Sequence, residues 1–301
     1  MSPTMTKTIL IACLLFAALA DRAFAAQEPA AGAMKTLAVG KVKANQSVVA
    51  AAAAKKESLD RMLESLDGQI VSAIQQTRKF TLLARSDAGS LVEEAAATGK
   101  PFSFGAADYL LILTIDDFQD LVETAKFASL GKEMRKRQIR FSAVGKIYDV
   151  KTNKIIETAN FQEQLSDIGQ GGSNIKGDGD SSDSLLVGLT RIISEKIAQR
   201  VVDVVYPARI VGKTGKVITI NRGDGTGIAK DQTWEAFALG DELKDPDTGA
   251  SLGREEISVG KVRVTRVNPT LSQAAIVGED LGVDRGAILR RVDEAPAPEK
   301  P

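Results

Sequence analysis

Several short stretches hold residue types that could do chemistry, and each implies a definite reaction or ligand if its context fits. Asp247-Thr248-Gly249-Ala250-Ser251 copies the pattern of an aspartic protease. In that chemistry two buried carboxylates share a proton, so one serves as acid and the other as base. The pattern needs an apolar strand ahead of the Asp. Here Leu243-Lys244-Asp245-Pro246 leads in, polar and with Pro where turns start, so the stretch reads as a turn. Gly212-Lys213-Thr214 ends like a phosphate-binding loop, which cradles phosphate on backbone N–H groups at a helix N-terminus. The Gly that such a loop requires further upstream is replaced by Pro207, and the chain runs on into strand-like Val217-Ile218-Thr219-Ile220. A hairpin turn is expected there.

Gly177-Asp178-Gly179-Asp180-Ser181-Ser182-Asp183 has calcium-like spacing, but an EF-hand counted from Asp178 needs Gly at 183 and Glu at 189, where Asp and Leu stand. It reads as a solvated loop. Arg222-Gly223-Asp224 matches the integrin-binding tripeptide but sits among turn residues. Lys132, Arg135, Lys136, Arg137 and Arg140 form the dense basic cluster. Without interleaved aromatics to stack on bases, it reads as a solvated approach to a strand or a partner-docking patch. No catalytic, cofactor-binding or metal residue is assigned, no cofactor is expected, and partner-binding residues stay unassigned.

Composition narrows the chemistry further. The 301 residues include no His, and the single Cys is Cys13. A Ser-His-Asp hydrolase, a histidine-ligated zinc enzyme and a Cys-His protease are therefore excluded. Carboxylate-only, Ser-Lys and phosphoryl-transfer chemistry are still open. Lys+Arg and Asp+Glu both number 39, so no net charge draws the chain to nucleic acid or acidic membranes. Hydrophobic residues make up 44% and charged residues 26%, enough apolar material for a real core.

The N-terminus reads as an export signal. Lys7 precedes the apolar run Ile9 to Ala20, and Ala23-Phe24-Ala25 places small residues before a cleavage site after Ala25. The run is far short of the roughly 20 residues of a lasting membrane anchor. A competing site is the lipobox-like Leu10-Ile11-Ala12-Cys13, which would leave a lipidated Cys13. The apolar stretch ahead of Cys13 is short and most of the run follows it, so cleavage after Ala25 is the reading preferred here. On that reading the mature chain has no thiol and no membrane-spanning segment, and its place is the periplasm.

The elements follow from periodicity. Residues 1–25 form the signal peptide, 26–33 a flexible leader and 294–301 an extended tail. Between them, 34–206 predicts an α/β (α+β) domain with a mixed sheet and flanking helices. Its expected elements are a strand over Met34–Val42, an amphipathic helix over Lys55–Gln76, a strand over Phe80–Ala84 and a short helix over Ser90–Ala97. The apolar run Tyr109–Ile115 predicts a central strand buried on both faces. Arg137–Val150 and Ile155–Gln164 predict a hairpin. Ser184–Val205 predicts a closing helix with Leu185, Leu189, Ile192, Ile193 and Ile197 on one face, capped by Asp183 or Ser184. The region 207–293 predicts a small all-β barrel or sandwich. Its strands fall over Ala208–Val211, Lys216–Ile220, Thr233–Ala238, Glu256–Val267, Gln273–Val277 and Ala287–Val292. Pro207 marks the boundary. The Gly-rich segment Gly169–Asp183 offers almost no apolar surface against the entropy of ordering it, so it is expected to be an exposed, mobile loop.

Together, Thr36-Leu37-Ala38-Val39-Gly40, Thr77 to Arg85, Tyr109 to Ile115 and the hairpin Val144 to Ile156 resemble the CsgG family of curli secretion and related periplasmic proteins. Asp245 to Gly249, Leu252-Gly253 and Val259 to Val264 resemble the C-terminal domain of the flagellar protein FlgT. The resemblance implies the fold and an envelope setting. CsgG pores also insert two membrane hairpins per subunit. The candidate insertions here, Gln119–Lys136 and Ser166–Asp183, are too charged or too rich in Gly and Ser to face lipid. The expectation is therefore a non-enzymatic periplasmic accessory or assembly protein that contacts envelope proteins, with a homo-oligomer left open. The alternatives are a lipoprotein subunit of an outer-membrane export assembly and a carboxylate-based hydrolase.

Overall fold

A computed structural model describes residues 34–52, 56–87, 93, 106–127, 132–170 and 184–292. The signal peptide, the leader, Cys13, the expected helix over Ser90–Ala97 apart from Glu93, the calcium-like segment, Asp183 and the tail lie outside the described residues.

The first sheet is built from β1 (Lys35–Val39), β2 (Lys43–Ala44), β3 (Phe80–Ala84), β4 (Tyr109–Phe127), β5 (Lys132–Asp149) and β6 (Lys154–Gln170). Its order is β3-β1-β4-β5-β6, with β2 paired on β4. β1 runs parallel to β3 and to β4, whereas β4, β5 and β6 are antiparallel. Parallel neighbours need a crossover, and α2 (Lys56–Gln76) supplies it after the short α1 (Gln46–Ala51). Leu59, Met62, Leu66, Ile70 and Ile74 of α2 are buried at helical spacing, as the periodicity requires. α3 (Ser184–Val205) adds Leu186, Leu189, Ile193, Ile197 and Val201 to the same core. Leu186 takes the buried place expected for Leu185, while Leu185 and Ile192 are partly buried. Between the helices, the Ser65 and Thr190 hydroxyls meet at 3.2 Å.

β4 departs from expectation in two ways. It is not buried on both faces: Leu111, Leu113 and Ile115 are buried, whereas Leu110, Ile112 and Thr114 are only partly so. The strand alternates because it pairs antiparallel with β5 along its length and gives one face to the helical core. It also runs on to Phe127, and β5 starts at Lys132, so most of the candidate insertion Gln119–Lys136 is sheet. A register shift between Ile115 and Asp117 leaves Asp116 as the extra residue of a bulge. Such a bulge moves the inward parity by one position, so Phe118 and Asp120 are buried after Ile115. β6 likewise extends past Gln164 and takes in Gly169 and Gln170, two residues expected in the loop.

The second sheet holds β7 (Ile210–Thr214), β8 (Val217–Ile220), β9 (Thr233–Lys244), β10 (Ser251–Val267), β11 (Ser272–Val277) and β12 (Ile288–Arg291), in the order β12-β9-β10-β11-β8-β7. It is a single antiparallel sheet, neither a sandwich nor a barrel closed by a full ladder. Its two ends touch at the Arg209–Ile288 bridge, flanked by backbone bonds from Leu289 N to Ala208 O and from Ile210 N to Ala287 O. The described residues from Lys35 onward form one compact unit with two apolar cores. Tyr206 packs against the first core and Ala208 lies in the second.

Candidate functional site

A cleft of about 630 Å³ opens between the C-terminal half of α3 and residues of the second sheet. Gln199, Arg200 and Asp203 come from α3, Arg222 and Gly227 from the loop after β8, Trp234 from β9, and Arg290 and Arg291 from β12. The loop is held against both helices by close approach. A Cβ on Gly227 (φ +81°) would meet Gln199 Cδ at 2.8 Å, and one on Gly225 (φ +76°) would meet Gln76 O at 3.0 Å. Asn221 fixes the loop's start by accepting from Arg209 N at 2.7 Å and donating to Pro207 O at 3.2 Å.

Arg222 is the unusual residue. Its side chain is 1% exposed, and Nη2 donates to Asp203 Oδ1 at 2.6 Å. Nε and Nη1 are buried and have no hydrogen-bond partner among the described residues. Loss of hydration pushes Arg222 down from the ordinary guanidinium range and pushes Asp203 up, each opposed by the attraction between them. Lys79 stands nearby and donates to Asn221 O at 2.7 Å. Burial, and then the Arg222 charge, lower its pKa. The rim is better matched: Arg290 grips Glu256 through Nε at 2.8 Å and Nη2 at 2.7 Å, and Arg200 pairs with Glu157 at 2.7 Å. The cleft thus brings Arg200, Arg222, Arg290 and Arg291 together with Asp203 and Glu256.

The sequence-level candidates fall elsewhere. Asp247 lies on the exposed turn between β9 and β10, where Asp245 Oδ1 accepts from the N–H groups of Asp247 and Thr248 at 2.9 and 2.8 Å. Those backbone bonds lower the Asp245 pKa. Gly212-Lys213-Thr214 ends β7 and turns through Gly215 into β8, and Lys213 pairs with Asp280 at 2.9 Å. The basic cluster is not one solvated patch. Arg137 is 2% exposed and bound to Asp120, while Arg140 pairs with Asp117 at 2.8 Å. Arg222 was legible in the sequence only as part of a turn tripeptide, and its burial excludes the exposed presentation that an integrin ligand requires.

Among the described residues, no cluster of His, Cys, Asp and Glu could hold a metal ion, and no helix is long and apolar enough to cross a membrane. No protein-family profile matches the chain. The chain is similar to NMB1126/NMB1164 of Neisseria meningitidis serogroup B, a protein named as a lipoprotein. The two are 29% identical over 103 residues, 33% of this chain and 45% of that protein. The likeness thus spans less than half the relative's length. Among solved structures, the hypothetical protein CT253 of Chlamydia trachomatis aligns at 16% identity and a TM-score of 0.33, covering 58% of this chain and 99% of that one. A minor lipoprotein of Acinetobacter baumannii aligns at 10% identity and a TM-score of 0.30, covering 56% of this chain and 92% of that one.

Proposed function

We propose that this chain is an exported bacterial envelope protein, tethered by a lipid at Cys13, that works through protein–protein contacts and not as an enzyme. The observation that carries the reading is Leu10-Ile11-Ala12-Cys13 inside an apolar N-terminal run, in a chain whose relative bears the name of a lipoprotein. The relative turns the balance from cleavage after Ala25 toward lipidation. The absence of His, and of any Cys beyond Cys13, argues against the commonest nucleophile and base pairings. Support for protein contacts comes from the distal part of the β9–β10 hairpin, where Leu243 and Leu252 are 48% and 64% exposed. On the sequence resemblance to the CsgG family alone, the proposal extends to a role in surface-structure assembly or secretion.

The mature N-terminus tests the anchor. Mass spectrometry of protein from native envelope is expected to show a diacylated N-terminal Cys13. A chain beginning at Ala26 would overturn the tether and restore the soluble periplasmic reading, which the Ala23-Phe24-Ala25 site favours. Crosslinking in the same membranes is expected to capture defined envelope proteins, and recovery of uncrosslinked chain alone would overturn the contact role.

A further inference from the structure

β6 is the outermost strand of the first sheet and pairs with β5 alone along Lys154–Gln170. Its other edge makes no backbone hydrogen bond among the described residues. Proteins guard such edges with short strands, Pro, lysines or a cover, because open N–H and C=O groups accept another strand. Residues 155–170 contain no Pro, Lys or Arg. Thr158, Asn160, Gln162, Gln164 and Ser166, on the face away from the helices, are exposed and uncharged. We propose that this edge receives β6 of a second copy of the chain, antiparallel about a twofold axis at Phe161.

The charges along the strand select that occupant and that register. Full overlap of the two strands, centred on Gln162, sets Glu157 against Asp167 of the second copy. Centred on Phe161, the regular ladder opposes no like charges: Glu157 meets Leu165 and Glu163 meets Ala159. On the solvated face Asn160 meets Gln162 and Thr158 meets Gln164, polar pairs that can bond across strands. On the helix face, Lys196 and Arg200 of α3 pair with Glu163 and Glu157 and are still 49% and 48% exposed. Glu163 of the second copy falls two residues along from Glu157 and its Arg200. Glu157 of the second copy falls two residues along from Glu163 and its Lys196. Each half-exposed cation thus has a second carboxylate on the diagonal, ~7–8 Å away across the strands, and the twofold repeats the arrangement.

The proposal goes beyond the envelope reading and fails separately from it. The full chain, purified from membranes in mild detergent, is followed by sedimentation velocity over a dilution series. A dimer that dissociates on dilution is expected. Asn160→Lys/Gln162→Lys sets like charges opposite each other twice and is expected to weaken the dimer about tenfold, with unchanged circular dichroism. Asn160→Glu/Gln162→Lys sets unlike charges in the same places and is expected to restore it. A monomer at every concentration, or a dimer that the lysine variant leaves intact, overturns the pairing. A monomer whose crosslinks to another envelope protein vanish in the lysine variant assigns the edge to a foreign strand; that overturns the second copy and leaves the contact role standing.

Discussion

Arg137 and Asp120 close a two-pronged ion pair inside the first sheet, with Nε on Oδ1 at 2.9 Å and Nη2 on Oδ2 at 2.6 Å. Both are buried, on neighbouring strands, two residues off directly opposite and so on one face: Asp120 faces Ile139 and Arg137 faces Val122. The bulge at Asp116 makes the pair possible, because it moves Asp120 onto the inward face. Removing Asp120 takes two carboxylate bonds from a buried guanidinium, so Asp120→Ala is expected to destabilise the fold by about 3–5 kcal/mol. Asp120→Leu/Arg137→Met, which removes both charges, is expected to cost much less. Urea unfolding of the three proteins checks this, and a double variant as unstable as the single one would contradict it.

At the junction of the cores, Asp203→Ala leaves Arg222 without its carboxylate. Asp203 is half-exposed, so the expected loss is smaller, about 2 kcal/mol, the scale of a hydrogen bond to a charged group. Thermal unfolding measures it, and an unchanged midpoint would show that the pair contributes nothing.

Acid sensitivity is expected at Asp108. Its carboxylate accepts from Thr36 N at 2.9 Å and pairs with Lys151 at 3.2 Å. The Thr36 bond, with help from Lys151 and against desolvation, holds its pKa below the usual carboxylate value. A depressed folded pKa means the stabilisation is present above the unfolded value of about 4 and fades as pH falls through the folded one. Asp108→Asn is therefore expected to destabilise at neutral pH and to converge on wild type as pH falls from about 4 through the lowered folded pKa. Parallel unfolding curves across that range would contradict the assignment.

Division at Pro207 is expected to yield two separately folding pieces, 34–206 and 207–293, because the apolar cores part there. Separate expression with circular dichroism tests this; two unfolded, insoluble halves would count against it. In the second piece Arg222 loses Asp203, so that fragment is expected to be the weaker.

Periodicity made some elements plain. β3 and α3 occupy the spans that apolar spacing indicates, and α2 begins one residue later than expected. These depend on local pattern, which a single chain displays. From sequence alone the outer parts of β4 and β5 read as a charged insertion because their residues are polar. Opposite charges there are placed across strands, Glu123 against Lys136 for example, and the ladder can continue where apolar residues stop. The bulge at Asp116 left no mark, since its effect is a parity change visible only against β5. Arg222 was hidden for a similar reason. Nothing local separates an exposed turn arginine from one that a helix, distant in sequence, will cover.

The Arg209–Ile288 bridge has a consequence for life in a crowded compartment. An unpaired strand edge offers a template on which foreign strands can add, and proteins commonly blunt such edges. In the second sheet the two end strands lie against each other near that bridge, and β7 offers only a short remainder. Unwanted templating at the two ends of this sheet is thereby discouraged by connectivity itself, and the open edges that are left belong to the distal β9–β10 hairpin, where β9 beyond Phe237 and β10 before Lys261 pair only with each other.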